Sequence, residues 1–292
     1  MLKRLLQVAF GWDQKTERQK YLFNYRAAGL LAQALSILPI PLYRLLWGFD
    51  SDKHLPGWHS YGFSYTQVFR PLKYRPVKLL EIGIGGYRDS LGGRSLLAWQ
   101  GYFPFGTIVA ADIEPKQELA GLRRKIRQVD QFSAADLDTL TRQDGPFDII
   151  IDDGSHRNSH QIFTFRHLFD ALKNGGVYVI EDVETSFWYG TIKDVICEGA
   201  RIDDTAFAGT CYGFFLELAK YLNHSEFPDL TGLDVEMLAL AGQIKRIWFE
   251  HNMIFVFKGR NVEPSVFVRG RERDLAQLLP ADAPVAQIAE AL

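Results

Sequence analysis

Phe147-Asp148-Ile149-Ile150-Ile151-Asp152-Asp153-Gly154-Ser155-His156 is the stretch that decides how this chain folds. An apolar, β-branched run ends abruptly in two carboxylates, a glycine, a hydroxyl and an imidazole. Such a run predicts a strand buried on both faces, as in the middle of a parallel sheet. The carboxyl end of that strand is where open α/β folds place their chemistry. A second strand, Gly176-Val177-Tyr178-Val179-Ile180, ends in the same manner in Glu181-Asp182. The pair of acidic strand ends raises the question of a shared metal ion.

Working outward, strands and helices alternate. Upstream, residues 77–82 read as a strand, residues 94–100 open a helix, and residues 107–111 form a second strand ending in Asp112. Residues 116–126 read as a helix, residues 127–129 as a short strand closed by Asp130-Gln131, and Ser133 as the N-cap of a helix through Arg142. Downstream of the opening strand, a helix over residues 159–172 is closed by Asn174-Gly175-Gly176 in the manner of a left-handed cap. Residues 214–222 and 235–241 read as helices. Residues 244–249 and 253–257 read as an antiparallel hairpin. Strands alternating with helices and closed by a hairpin predict a doubly wound α/β sheet. The terminal hairpin fits the seven-stranded, Rossmann-like sheet of class I methyltransferases, whose last strand runs antiparallel.

Three segments follow: residues 1–74, helical with an active-site loop; residues 75–260, the sheet domain; and residues 261–292, a charged and then Pro/Ala-rich tail. Residues 1–50 hold two amphipathic helices meeting at Pro39 and Pro41, read as an accessory layer or an oligomer contact, with a lid as the sharper alternative. Membrane-surface contact by residues 29–49 is the less favoured reading, because Gln33, two prolines and Arg44 interrupt that window. The loop 51–69 combines Gly, Pro, aromatics and two histidines, and with Phe187-Trp188-Tyr189 suggests an aromatic-lined pocket.

Bulk properties narrow the function classes. The 292 residues are 47% hydrophobic and 23% charged, with a net charge of −2. That balance supplies no electrostatic basis for binding nucleic acid. Short basic runs such as Arg123-Arg124-Lys125 read as solvated faces. Two cysteines, Cys197 and Cys211, provide neither a disulfide framework nor a cysteine-rich zinc site, and a cytoplasmic setting is expected.

The loop after the first strand reads Glu81-Ile82-Gly83-Ile84-Gly85-Gly86-Tyr87. A dinucleotide fingerprint requires Gly-x-Gly-x-x-Gly, and position 88 is Arg, so pyrophosphate binding is disfavoured. S-adenosylmethionine carries no phosphate but has an ammonium, a sulfonium and a ribose diol. Glu81 suits its cations, the glycines at 83, 85 and 86 admit close backbone approach, and Asp112 suits the ribose hydroxyls. Asp130 and Gln131 suit the adenine, and Asp152 lies near the cofactor or is structural.

Asp153 can meet Glu181 and Asp182 if the two strands are neighbours, because adjacent strands lie about 4.8 Å apart. Consecutive carboxylates point to opposite faces of a regular strand, so both reach one ion only if the strand has ended, and an end at Ile180 is expected. Oxygen ligands without cysteine favour Mg²⁺ or a similar hard ion; the alternative is that the acids cap helices and bind water. His156 and His160 have zinc-helix spacing, yet the residue after the first is Arg157 rather than the required Glu. His156 is instead placed to take a proton from a metal-activated hydroxyl.

Taken together, Glu81 to Tyr87, Ile151-Asp152-Asp153-Gly154-Ser155-His156 and Val179-Ile180-Glu181-Asp182 resemble the metal-dependent macrolide-sugar O-methyltransferases, the mycinamicin 2''-O-methyltransferase group. The resemblance runs from about Asp52 to Asp182 and more loosely through the hairpin. It implies His156 as base and Asp153, Glu181 and Asp182 as metal ligands. It also implies an S-adenosylmethionine- and Mg²⁺-dependent O-methyltransferase, expected to be a homo-oligomer, acting on a hydroxyl of a sugar or glycosylated metabolite or glycan. A metal-dependent hydroxylase and a non-catalytic adenosylmethionine-binding protein are the alternatives.

Overall fold

The computed structural model describes residues 15–86, 91–192, 195–201, 203–227 and 230–262. The chain forms two compact units, Met1–Asp130 and Gln131–Leu292.

The first unit opens with helix α1 (Glu17–Leu35), whose start is fixed by a capping box: Thr16 accepts from the Gln19 amide while Gln19 Oε1 accepts from the Thr16 amide. A turn through Pro39 and Pro41 leads to α2 (Leu42–Gly48), as expected from the two prolines, and α3 (Gly62–Phe69) follows. Strands β1 (Lys78–Ile82), β2 (Thr107–Asp112) and β3 (Arg124–Gln128) pair in parallel, with helix α4 (Arg94–Tyr102) between the first two. Leu79, Leu80, Ile108 and Val109 are wholly buried, as two-faced strands require.

The helix expected over residues 116–126 does not form. Gln117–Leu119 is a single 3-10 turn, and β3 begins at Arg124. Arg123 sits at φ 63°, in the left-handed region, which ends any helix there. Arg124 is buried beneath α1, 5.1 Å from the Tyr25 ring centroid, and bonds to Gln100 Oε1. Burial of Arg124 and Ile126 alternates with exposure of Lys125, which is strand periodicity. The basic run is therefore not a solvated face. The Arg123 guanidinium gathers the carbonyls of Phe103 (2.6 Å), Gly106 (2.8 Å) and Gln100 (3.0 Å) and also donates to Gln33 Oε1. Helix α1 is integral to this unit: the Tyr21 and Tyr25 hydroxyls donate to the carbonyls of Gly92 and Gly93.

In the second unit, α5 (Ala134–Asp144) starts where expected, with Ser133 Oγ accepting from the Asp136 amide. Strand β4 (Phe147–Asp152) runs parallel to β5 (Leu172–Glu181), with α6 (Asn158–Leu168) between them. Helix α6 ends four residues before the expected 172, and Asn174-Gly175-Gly176 is not its cap. Those residues form a bulge inside β5: the register passes from Phe147↔Leu172 to Ile149↔Val177, with Gly175 at φ 79°. An Asn-Gly-Gly signal serves a left-handed helix cap and a bulge equally well. After β5, strands β6 (Tyr189–Ile192) and β7 (Val195–Glu198) form a separate antiparallel pair that the sequence did not announce. Helices α7 (Cys211–Tyr221) and α8 (Val235–Gly242) precede the expected hairpin of β8 (Ile244–Glu250) and β9 (Met253–Lys258).

One seven-stranded sheet results, in the order β3-β2-β1-β4-β5-β9-β8. The last strand among the described residues, β9, is antiparallel to β5, which is the predicted class I methyltransferase arrangement. No helix among the described residues is long and apolar enough to cross a membrane. Most of the 261–292 tail lies outside the described residues.

Substituting Arg123→Ala removes a donor shared by three carbonyls of buried residues, of which only that of Phe103 keeps another partner, the Gly106 amide, among the described bonds. A loss of about 2–3 kcal/mol in urea unfolding is expected; a change under about 0.5 kcal/mol would show that these bonds are not structural.

Candidate active site

In the first unit the loop after β1 is shaped by left-handed glycines. Gly83, Gly85 and Gly86 have φ of 76°, 61° and 101°, and Gly83 donates to the Ala111 carbonyl at 2.8 Å. A Cβ on Gly86 would lie 2.6 Å from the Leu91 carbonyl carbon, whereas one on Gly85 would meet nothing within 4 Å. Gly86 is thus a packing requirement and Gly85 an open edge. Tyr87 lies outside the described residues.

Asp112, at the end of β2, builds this loop. Its Oδ2 accepts from the Ile84 amide (3.1 Å) and from Lys116 Nζ (2.9 Å), and its Oδ1 accepts from the Glu114 amide (2.9 Å). Lys116 donates in turn to the Gly85 carbonyl at 2.5 Å. Glu81 is wholly buried at the end of β1. Its Oε2 accepts from Ser95 Oγ and Trp99 Nε1, both at 2.9 Å, and its Oε1 lies 3.3 Å from the buried Lys53 ammonium. A buried carboxylate left uncompensated would cost several kcal/mol; Lys53 provides the compensation, and also ties the 51–60 loop to the strand end. Sequence reasoning assigned Glu81 to a ligand cation and did not pair it with Lys53. Asp130 is exposed two residues beyond β3.

The second unit holds the acidic strand ends. Asp152, the last residue of β4, is wholly buried, and burial pushes its carboxyl up to about 7. Its Oδ1 accepts from Gln131 Nε2 (3.2 Å) and the Gly154 amide (3.4 Å). Tyr178 and Cys211 beside it are likewise pushed up by burial. Asp152 is therefore a buried acid, and the neighbouring Asp153 is the partly exposed one.

Among the described residues, Asp153, His156 and Asp182 bring one ligand atom each to within 4.8 Å of one another. The backbone makes this grouping. Strand β5 runs one residue further than expected, through Glu181, which pairs with Met253 and is buried. Asp182 then turns into the left-handed region at φ 52°, and His156 does the same after β4 at φ 56°. Two left-handed residues of this type cost about 1–3 kcal/mol each and cluster at functional sites. His156 Nε2 lies 3.7 Å from Asp182 Oδ2, and its carbonyl accepts from Thr185 Oγ1 at 2.6 Å. Its Nδ1 is buried with no hydrogen-bond partner among the described residues, whereas Nε2 is the ring nitrogen nearest Asp182. Glu181 stands outside the three-residue group: it is still paired within β5, whereas Asp182 lies beyond the strand.

Asn158, at the start of α6, was not anticipated from sequence. It is buried, donates to the Thr185 carbonyl, and accepts from Ser186 Oγ (2.7 Å) and the Cys211 amide (2.8 Å). It thereby joins the segment after His156 to the turn after Asp182. Beyond that turn Phe187, Trp188 and Tyr189 are 40–53% exposed, with Phe187 packed on Phe207 and Tyr212. His160 does not join the metal-type group; it bonds to Ser155 Oγ at 2.8 Å and stacks on Phe132.

Residues 88–183 match a family model described as a methyltransferase domain. Mycinamicin VI 2''-O-methyltransferase of Micromonospora griseorubida is 37% identical over 213 residues, covering 71% of this chain and 50% of that protein. A tetracenomycin relative of Streptomyces olivaceus, 8-demethyl-8-(2-methoxy-alpha-L-rhamnosyl) tetracenomycin-C 3'-O-methyltransferase, is 36% identical over 255 residues, covering 85% of this chain and 62% of that one. The solved MycE methyltransferase of the mycinamycin biosynthetic pathway, in complex with Mg, SAH and mycinamycin VI, superposes with a TM-score of 0.67 at 35% identity. That match covers 78% of this chain and 57% of MycE. The chain spans about half to three fifths of the length of these relatives. It has a class I methyltransferase fold with a methyltransferase domain over residues 88–183, and is a relative of the sugar O-methyltransferases of the mycinamicin and tetracenomycin type.

Proposed function

We propose that this protein is an S-adenosylmethionine- and Mg²⁺-dependent O-methyltransferase acting on a hydroxyl of a sugar-bearing small molecule. The grouping of Asp153, His156 and Asp182 carries this proposal. Two carboxylates without a thiolate suit a hard cation. The donor chemistry fits Mg²⁺, with Asp153 and Asp182 as its holders. When bound, the ion supplies positive charge that lowers the pKa of an acceptor hydroxyl, and adenosylmethionine supplies the methyl group.

The chain's own residues do the rest. His156 receives the hydroxyl proton at Nε2, and Asp182 Oδ2 at 3.7 Å stabilises the imidazolium that results. Thr185, through the His156 carbonyl, holds the ring's backbone in its left-handed conformation. The glycine loop, shaped by Asp112 and Lys116, offers backbone to the cofactor. Exposed Phe187, Trp188 and Tyr189 offer aromatic faces to the apolar side of a sugar or its aglycone. The relatives named for glycoside substrates support this acceptor class. A cytoplasmic setting accords with a cofactor-dependent enzyme of this kind.

Incubation with adenosylmethionine, Mg²⁺ and a panel of deoxysugar glycosides should produce a methyl mass shift that EDTA abolishes. Turnover that is indifferent to chelation would return the acids to a structural role. His156→Ala should lower kcat by at least about 100-fold, with the affinity for S-adenosylhomocysteine, read by calorimetry, unchanged within about twofold. Full activity in that variant would remove His156 as the base. Asp153→Ala and Asp182→Ala should each weaken Mn²⁺ binding by more than about tenfold, the scale on which even outer-shell partners act. Equal binding by the wild type and both variants would place the ion elsewhere.

A further inference from the structure

Gln131 was expected to read the adenine, yet its side-chain amide is turned into the protein. It is only 8% exposed. Its Oε1 accepts from the Ser155 amide at 2.6 Å, and its Nε2 donates to Asp152 Oδ1 and to Thr164 Oγ1, both at 3.2 Å. Both amide hydrogens are therefore engaged inside the fold. The Ser155 N–H can only donate, which fixes the orientation of the amide. The side chain lies as a crosspiece between the end of β4 and the turn that follows, the turn that carries Asp153 and His156.

Gly154 reports the same contact from the other side. Its backbone is not in the left-handed region, so no dihedral angle demands glycine there. Space does: a Cβ on Gly154 would lie 2.0 Å from Gln131 Oε1 and 2.7 Å from its Cδ. The far flank of the turn is bound by Thr185 at the His156 carbonyl. The segment 152–156 is thus held at one side by Gln131 and at the other by Thr185.

We propose that Gln131 is a positioning residue for the catalytic group, setting the path of residues 152–156 so that Asp153 and His156 meet Asp182 before any ligand arrives. The proposal rests on the assignment of Asp153, His156 and Asp182 as the metal and proton-transfer site. Gln131 touches no reacting atom; it acts through Ser155, Gly154 and Asp152. Preorganisation of this sort separates the two affinities that the site depends on. Loss of the clamp weakens ion binding and proton transfer and spares the cofactor, whereas an adenine-reading glutamine would do the reverse.

The test uses the full chain with Mn²⁺ as an electron paramagnetic resonance probe and S-adenosylhomocysteine as the calorimetric probe. Gln131→Met keeps side-chain volume and removes all three bonds. It should bind Mn²⁺ about 10–100-fold more weakly, the range for partners that orient metal ligands, with kcat reduced and both the KM for adenosylmethionine and the S-adenosylhomocysteine affinity within about twofold of wild type. Gly154→Ala should reproduce that pattern. The double variant Gln131→Ala/Gly154→Ala should be no worse than Gln131→Ala alone, because the added methyl then has room. A tenfold loss of S-adenosylhomocysteine affinity with unaltered Mn²⁺ binding overturns the proposal in favour of adenine recognition, and fully additive losses in the double variant overturn the shared contact. Asp153→Ala is the control for the underlying site. If it binds Mn²⁺ like wild type, the site assignment fails; if it loses Mn²⁺ while Gln131→Met does not, only the clamp fails.

Discussion

Two carboxylates and an imidazole held within 4.8 Å of one another are the constraint around which the second unit is arranged. At an effective dielectric constant of about 20, two carboxylates so placed repel by about 3 kcal/mol. Nothing in apolar packing favours that arrangement, and the backbone enforces it at further cost through the left-handed residues His156 and Asp182. The surrounding polar network makes the strain persist. Thr185 holds the His156 carbonyl, Asn158 joins three segments, and Gln131 spans the turn after β4. A divalent cation would convert the repulsion into attraction, which is the physical basis for proposing one at this place.

Charge is managed differently in the first unit. Glu81 is sealed in and neutralised by Lys53, and Asp112 spends its oxygens on the Ile84 and Glu114 amides and on Lys116. These acids shape the glycine loop from behind. The loop then presents backbone, with Gly85 open and Gly86 closed against Leu91. Helix α1 belongs to the same construction, since Tyr21 and Tyr25 grip the Gly92 and Gly93 carbonyls and Tyr25 faces Arg124. One unit uses Glu81 and Asp112 as internal scaffolding; the other leaves Asp153 and Asp182 partly exposed.

The sheet was legible because its signals are local. Runs of Ile and Val mark β4 and β5, and the residues between Phe249 and Met253 mark the hairpin. Errors arose where the deciding partner is remote or the signal is degenerate. Arg124 reads as a solvated charge until Tyr25, far earlier in the chain, is seen to cover it. Asn174-Gly175-Gly176 reads as a helix cap because a bulge requires the same residues. The acidic pair and His156 were visible as a motif, but the sequence could not say which of Glu181 and Asp182 groups with Asp153 and His156, since that depends on where β5 ends. Gln131 was legible as a polar strand end and not as a clamp, because its partners lie 21 to 33 residues downstream.

The central claim is that a hard divalent cation sits on Asp153 and Asp182 beside His156. Anomalous diffraction from a crystal grown with Mn²⁺ locates the ion directly. The expected result is one strong peak about 2.1–2.2 Å from a carboxylate oxygen of Asp153 and another of Asp182. A peak elsewhere in the second unit, or none at these carboxylates at saturating Mn²⁺, would contradict it.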